Sequence, residues 1–164
     1  MQHEELRLED LLSKTLSTSD GSQINSAVIV GAGVMGQGIA QTVAAAGMDV
    51  LIVEKDKSHL KKSKESLSEN IDREIKRWAM TASEKKSIMS RITWETNFDK
   101  VNDYDLIIEA VDEDYDLKLS IFKKLDQIAN KNIIFVSNTS TLSLTKISEA
   151  TQRPDKIIGM HFLN

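Results

Sequence analysis

Ala27-Val28-Ile29-Val30 runs without a gap into Gly31-Ala32-Gly33-Val34-Met35-Gly36, and a second apolar run, Val50-Leu51-Ile52-Val53, closes on the acid Glu54. Between them Ile39, Ala40, Val43 and Ala44 recur at helical spacing. Two short β-branched runs separated by a helix are most economically built as parallel strands joined by a crossover. In such a unit Gly31 permits the tight turn from strand to helix, Gly33 lets the main chain approach a ligand with no Cβ in the way, and Gly36 lets the helix lie close on the sheet. The free N–H groups and the positive end of the helix dipole then face the bend, which suits a phosphate. Glu54 stands 18 residues past Gly36, where a carboxylate accepts both hydroxyls of a ribose and repels a 2'-phosphate. The expected cofactor site is therefore Gly31, Ala32, Gly33, Val34, Met35, Gly36 and Glu54, and the expected cofactor is NAD rather than NADP.

Further short apolar runs at 105–108, 133–136 and 156–160, with a weaker one at 91–95, alternate with helical stretches. The pattern predicts an α/β fold with a doubly wound, mostly parallel sheet of the Rossmann type over residues 25–164. Leu60, Leu67, Ile71, Ile75 and Trp78 lie 7, 4, 4 and 3 residues apart, which puts them on one face of a helix of about five turns. Thr81-Ala82-Ser83-Glu84 has the form of a capping box opening a second helix through about Ser90. The two make a helical hairpin inserted after the second strand. Its Lys61, Lys62, Lys64, Arg73, Lys76 and Arg77 are either a solvated face or partners for a phosphorylated substrate. Residues 1–24 form an N-terminal arm, either mobile or a docking helix built on Leu6, Leu8, Leu11, Leu12 and Leu16.

In an open parallel sheet the carboxyl ends of the strands face the ligand crevice, so the residues there are the candidates for chemistry. The run 105–113 ends in acids where a helix over 115–129 begins. Glu113 can cap that helix or contact a nicotinamide ribose, and Lys118, one turn in, is either surface or phosphate-facing. Ser137-Asn138-Thr139-Ser140-Thr141 sets hydroxyls and an amide at the same edge, as a simple cap and turn or as ligands for a substrate oxygen. The last run delivers His161, whose imidazole titrates near neutrality and can take the proton of an alcohol while hydride leaves the same carbon.

Composition excludes other classes. The length of 164 residues suits one domain that buries roughly two thirds of its unfolded surface. With no Cys there is no disulfide, thiolate nucleophile or Cys-based zinc site. The net charge of -4 gives no reason to expect nucleic acid as a partner. The apolar runs are too short to cross a bilayer, and Met1-Gln2-His3-Glu4-Glu5 lacks the basic start of a secretory signal, so the cytoplasm is the expected location.

Gly31-Ala32-Gly33-Val34-Met35-Gly36-Gln37-Gly38-Ile39-Ala40, Ile108-Glu109-Ala110-Val111, Ser137-Asn138-Thr139-Ser140 and Gly159-Met160-His161-Phe162-Leu163-Asn164 together resemble, in order and spacing, the N-terminal domain of L-3-hydroxyacyl-CoA dehydrogenases, including bacterial 3-hydroxybutyryl-CoA dehydrogenases. The resemblance implies NAD-dependent oxidation of a 3-hydroxyacyl-CoA to the 3-ketoacyl-CoA, or the reverse on an acetoacetyl-CoA-type substrate, in fatty acid or butyrate metabolism. It implies His161 as catalytic base and Ser140 as the hydroxyl meeting both substrate oxygen and nicotinamide. Asn138 lies in the same loop. Glu113 and Lys118 match cofactor contacts, Lys118 also facing coenzyme A, and an ungapped reading puts Asn70 and Arg77 at coenzyme A contacts.

Glu54 stands where the family usually has Asp. The family also continues past the position of Asn164 with a Pro, a strand bearing the Glu that orients the His, and a helical domain that completes the cleft and the homodimer. The chain alone is accordingly expected to hold cofactor and turn over poorly or not at all. Two alternatives stay open: a hydroxyacid dehydrogenase of the lambda-crystallin and gulonate type, and an NAD-binding domain without catalysis.

Overall fold

The computed structural model describes residues 24–77 and 79–162. The expectations for the arm over residues 1–23, for Trp78 and for Leu163 and Asn164 fall outside them. The elements run β1 (Ser26–Val30), α1 (Val34–Ala45), β2 (Asp49–Val53), α2 (Lys57–Lys76), α3 (Ala82–Arg91), β3 (Ile92–Glu95), β4 (Leu106–Glu109), α4 (Tyr115–Ile128), β5 (Ile134–Ser137), α5 (Leu144–Glu149) and β6 (Ile157–Gly159). Short 3-10 turns at Val101–Asp103 and Pro154–Lys156 lead into β4 and β6.

All six strands are parallel, in the order β3-β2-β1-β4-β5-β6. The order reverses direction between β1 and β4, which opens a crevice at their carboxyl ends. Alternation along each strand feeds two cores. Ala27, Ile29, Val50, Ile52, Leu106, Ile108 and Val136 pack with Ile39, Val43, Leu67, Ile71 and Ile88 of α1, α2 and α3. Val28, Val30, Leu51, Val53, Ile107 and Phe135 point the other way, onto Phe122 and Leu125 of α4 and Ile147 of α5. The doubly wound reading and the helical hairpin after the second strand are both present.

The hairpin starts where Asp56 caps α2 by accepting the His59 N–H. It turns into α3 through a complete capping box between Thr81 and Glu84 and is latched by Lys85, whose Nζ lies 2.7 Å from Asp72. On the far side of the sheet Arg153 closes the carboxyl end of α4. It pairs with Asp126 at 2.7 Å, donates to the carbonyls of Asp126, Ala129 and Asn130 and stacks on Phe135. Asp105 ties the base of β4 to β1 by accepting from the Ser26 hydroxyl and from the N–H groups of Asn25 and Ser26.

Candidate functional site

The glycine bend separates into residues that the fold demands and one that it does not. Gly31 sits at φ +92, and a Cβ there would meet Val111 and the Ala110 carbonyl. A Cβ on Gly36 would collide with the Gly31 carbonyl oxygen, with Ala110 the next neighbour. What requires Gly36 is thus the closeness of the helix to its own bend, rather than to the sheet alone. Gly33 differs: a Cβ there would meet nothing within 4 Å, so its space is open toward the crevice.

Gly33 is also the N-cap of α1, which has no side-chain cap and no acid in its first turn. That leaves the helix dipole unopposed at the bend. Two side chains preset the loop by taking both polar groups of Ala32. Its N–H donates to Glu54 Oε1 at 2.7 Å, and its carbonyl accepts from Gln37 Nε2 at 2.8 Å. Each Glu54 oxygen keeps a lone pair beyond the bonds to Ala32 and Lys55. A diphosphate at the α1 amides and a ribose diol at Glu54 fit this cradle. Gln37 was not among the expected site residues; its role depends on a side chain folding back five residues, which no spacing announces.

At the end of β4 the structure removes the capping alternative for Glu113 and the surface alternative for Lys118. Glu113 does not cap α4; Asp114 does, accepting the Leu117 N–H. Glu113 instead reaches across to the loop after β5, where its Oε1 accepts from the hydroxyls of Thr139 and Thr141 and from the N–H groups of Ser140 and Thr141. Partial burial pushes its carboxyl up, but the hydrogen bonds from Thr139, Thr141, Ser140 and Lys118 outweigh it and hold the pKa down to about 2.

Lys118 is not at the surface. Its side chain is 0% exposed, with Nζ 2.6 Å from Glu109 Oε1, 3.2 Å from the Val111 carbonyl and 3.3 Å from Glu113 Oε2. The whole stem is desolvated along α4, and the ammonium therefore turns inward to the buried carboxylate. Glu109, equally buried, was missed because it reads as one more residue of an apolar strand.

These pieces surround a cleft of about 460 Å³ lined by Gly33, Val34, Met35, Ala110, Val111, Asp112, Glu113, Asn138, Ser140, His161 and Phe162. Val34, 73% exposed, offers an apolar wall. Asn138 lines the cleft and also shapes it, since its Oδ1 accepts the Phe162 N–H at 3.0 Å and so fixes the chain just past His161. His161 follows β6 rather than lying on it. Asn70 and Arg77 are not in the lining: Asn70 Nδ2 lies 3.4 Å from Gln37 Oε1, and Arg77 is exposed at the end of α2. A hydroxyl, an imidazole and an anion-binding helix end thus share one crevice, the set needed to hold an alcohol oxygen, move its proton and bind a dinucleotide beside it.

Residues 26–164 match the family described as 3-hydroxyacyl-CoA dehydrogenase, NAD binding domain. The chain belongs to this family. It is 39% identical over 136 residues to the 3-hydroxybutyryl-CoA dehydrogenase of Clostridioides difficile, covering 83% of this chain and 48% of that protein. It is 37% identical over 148 residues to the mitochondrial hydroxyacyl-coenzyme A dehydrogenase of Rattus norvegicus, covering 86% and 47%. Among solved structures, the (S)-3-hydroxybutyryl-CoA dehydrogenase of Ralstonia eutropha superposes with a TM-score of 0.82 at 42% identity, over 86% of this chain and 50% of that one. The chain spans about half the length of these relatives. Among the described residues, no helix of this NAD-binding domain is long and apolar enough to cross a membrane.

Proposed function

We propose that this chain is the cofactor-holding part of an NAD-dependent 3-hydroxyacyl-CoA dehydrogenase, an enzyme that interconverts a 3-hydroxyacyl-CoA and the 3-ketoacyl-CoA. The observation that carries the reading is the convergence of the open Gly33 bend, Glu113, Ser140 and His161 on one cleft. The α1 amides and Glu54 would hold the diphosphate and adenosine ribose, and Glu113 Oε2 would meet the second ribose. A nicotinamide held there would supply the acceptor or donor of hydride for the substrate carbon. His161 takes the hydroxyl proton, Ser140 donates a hydrogen bond to the same oxygen, and Val34 with Phe162 keeps water from the reacting carbon.

No role is assigned to Asn70 or Arg77, which stand outside the cleft. The intact enzyme is proposed to be a cytoplasmic homodimer; the support is the family resemblance.

The test is kinetic. In the full-length enzyme, His161→Ala should lower kcat by at least about a hundredfold, the usual worth of a general base; a loss below about tenfold would remove His161 from the mechanism. Turnover of acetoacetyl-CoA against free hydroxy acids separates this reading from a hydroxyacid dehydrogenase. NADH binding by the chain, with no turnover in the full-length protein either, would support a domain that only holds cofactor.

A further inference from the structure

We propose that Glu109 is a positioning residue: with Lys118 it forms a buried charged strut that holds the Glu113 carboxylate, and through it the loop over 139–141, in place at the cleft. The inference deepens the function proposed above, because that loop carries Ser140.

Glu109 and Lys118 are both 0% exposed. Removing two charges from water is costly, and an apolar pair of the same volume at such a site is often as stable or more so. The pair therefore calls for a reason other than stability, and its connections supply one. Glu109 ends β4 between Val30 of β1 and Ser137 of β5, at the point where the sheet reverses its order. Its Oε2 accepts the Ser137 hydroxyl at 2.7 Å, and its Oε1 accepts the Val111 N–H at 2.8 Å and Lys118 at 2.6 Å. Its main-chain carbonyl takes the N–H of Asn138 at 3.0 Å.

Lys118 donates to Glu109 and the Val111 carbonyl and forms an ion pair with Glu113 Oε2 at 3.3 Å. One ammonium thus lies between two carboxylates. Without the Glu109 charge the ammonium would keep Glu113 as its paired carboxylate and, poorly screened, would draw it inward and off the loop. Glu113 Oε1 holds the N–H groups of Ser140 and Thr141, so the same movement releases the loop. The strut acts on the loop through Glu113.

Glu109→Gln tests this, since it removes the charge that anchors Lys118 at nearly constant volume and leaves an acceptor for the Ser137 hydroxyl and the Val111 N–H. Three quantities are read on the 164-residue chain: thermal unfolding, hydrogen exchange at the Ser140 and Thr141 amides, and NADH affinity by titration. Glu109→Gln is expected to unfold at a lower temperature, because the buried Lys118 ammonium loses a counter-ion, and to exchange those two amides and release NADH at least about tenfold more readily, the worth of one hydrogen bond to a charged group. If Glu109→Gln does not fold, Glu109→Asp, which keeps the charge and draws it back by one methylene, gives the same two readouts.

Unchanged exchange at Ser140 and Thr141 would overturn the proposal. So would faster exchange with unchanged NADH affinity, because the order of the loop would then have no bearing on the site. A parent chain that binds no NADH refutes the proposed function instead, and amide exchange, which needs no ligand, still decides whether the strut holds the loop.

Discussion

Gly33 and Gly36 stand three residues apart and carry opposite predictions. Ala in a helix is worth about 1 kcal/mol over Gly, but at Gly36 the new Cβ strikes a main-chain oxygen that cannot rotate away. Overpacking of that kind costs about 1–3 kcal/mol or more, so Gly36→Ala should lower the unfolding temperature. At Gly33 a Cβ meets nothing, and Gly33→Ala should change stability by less than about 1 kcal/mol while weakening NADH binding about tenfold or more. Thermal unfolding and NADH titration of the two variants check the contrast; a destabilised Gly33→Ala with unchanged affinity would mean that this space belongs to the fold.

Glu113 supplies the pH dependence at the same scale. Its carboxyl is held at about 2, below its ordinary 4.5. A group lowered on folding adds stability that is complete above the unfolded value and is lost as pH falls through the folded one. Glu113→Gln should therefore unfold at a lower temperature than the parent above about pH 5, with the gap narrowing between pH 4.5 and 2. A gap that stays constant down to pH 3 would place the source of the low pKa elsewhere.

Among elements, the hairpin is the clearest case of local sequence deciding local structure. The capping box at Thr81 and Glu84 satisfies two otherwise free N–H groups, and Thr81→Ala should cost about 1 kcal/mol. In a domain of this size that lowers the unfolding temperature by a few degrees. NADH affinity should not change, because α3 contributes nothing to the cleft lining.

The strands were legible for a different reason. Buried on both faces, they read as continuous β-branched runs, and even the weak run at 91–95 is the edge strand Ile92–Glu95. The helix Leu144–Glu149 was not legible, since six residues are too few to show a period. The glycine bend was read from sequence because its requirements are local. The Glu109–Lys118 pair was not, because a lysine is exposed by default and this one is buried only once α4 has docked beneath β4 and β5. Whether Glu113 caps the helix stayed open for a related reason: its partners lie 26 to 28 residues away, and Asp114 is equally able to cap the helix.

For the whole molecule, the reversal of strand order between β1 and β4 brings the bend after one strand and the acids after the other to a single crevice, so a ligand there bridges both halves of the sheet. Anything that binds the folded chain alone stabilises it by mass action, about 2.7 kcal/mol at one hundred times Kd. For a domain of this size that corresponds to a rise of roughly 5–10 °C in unfolding temperature. NADH should produce such a rise. NADPH at the same concentration should produce much less, because its 2'-phosphate would lie against Glu54, a carboxylate fixed by the Ala32 N–H and unable to retreat without releasing the bend. Glu54→Gln keeps an acceptor for that N–H and removes the charge, so it should narrow the difference between the two cofactors while leaving the unliganded chain folded. Scanning calorimetry of parent and variant with each cofactor measures all four cases. Equal rises with NADH and NADPH in the parent would show that the acid at the end of β2 does not face the ribose, and the preference for NAD would lose its physical basis.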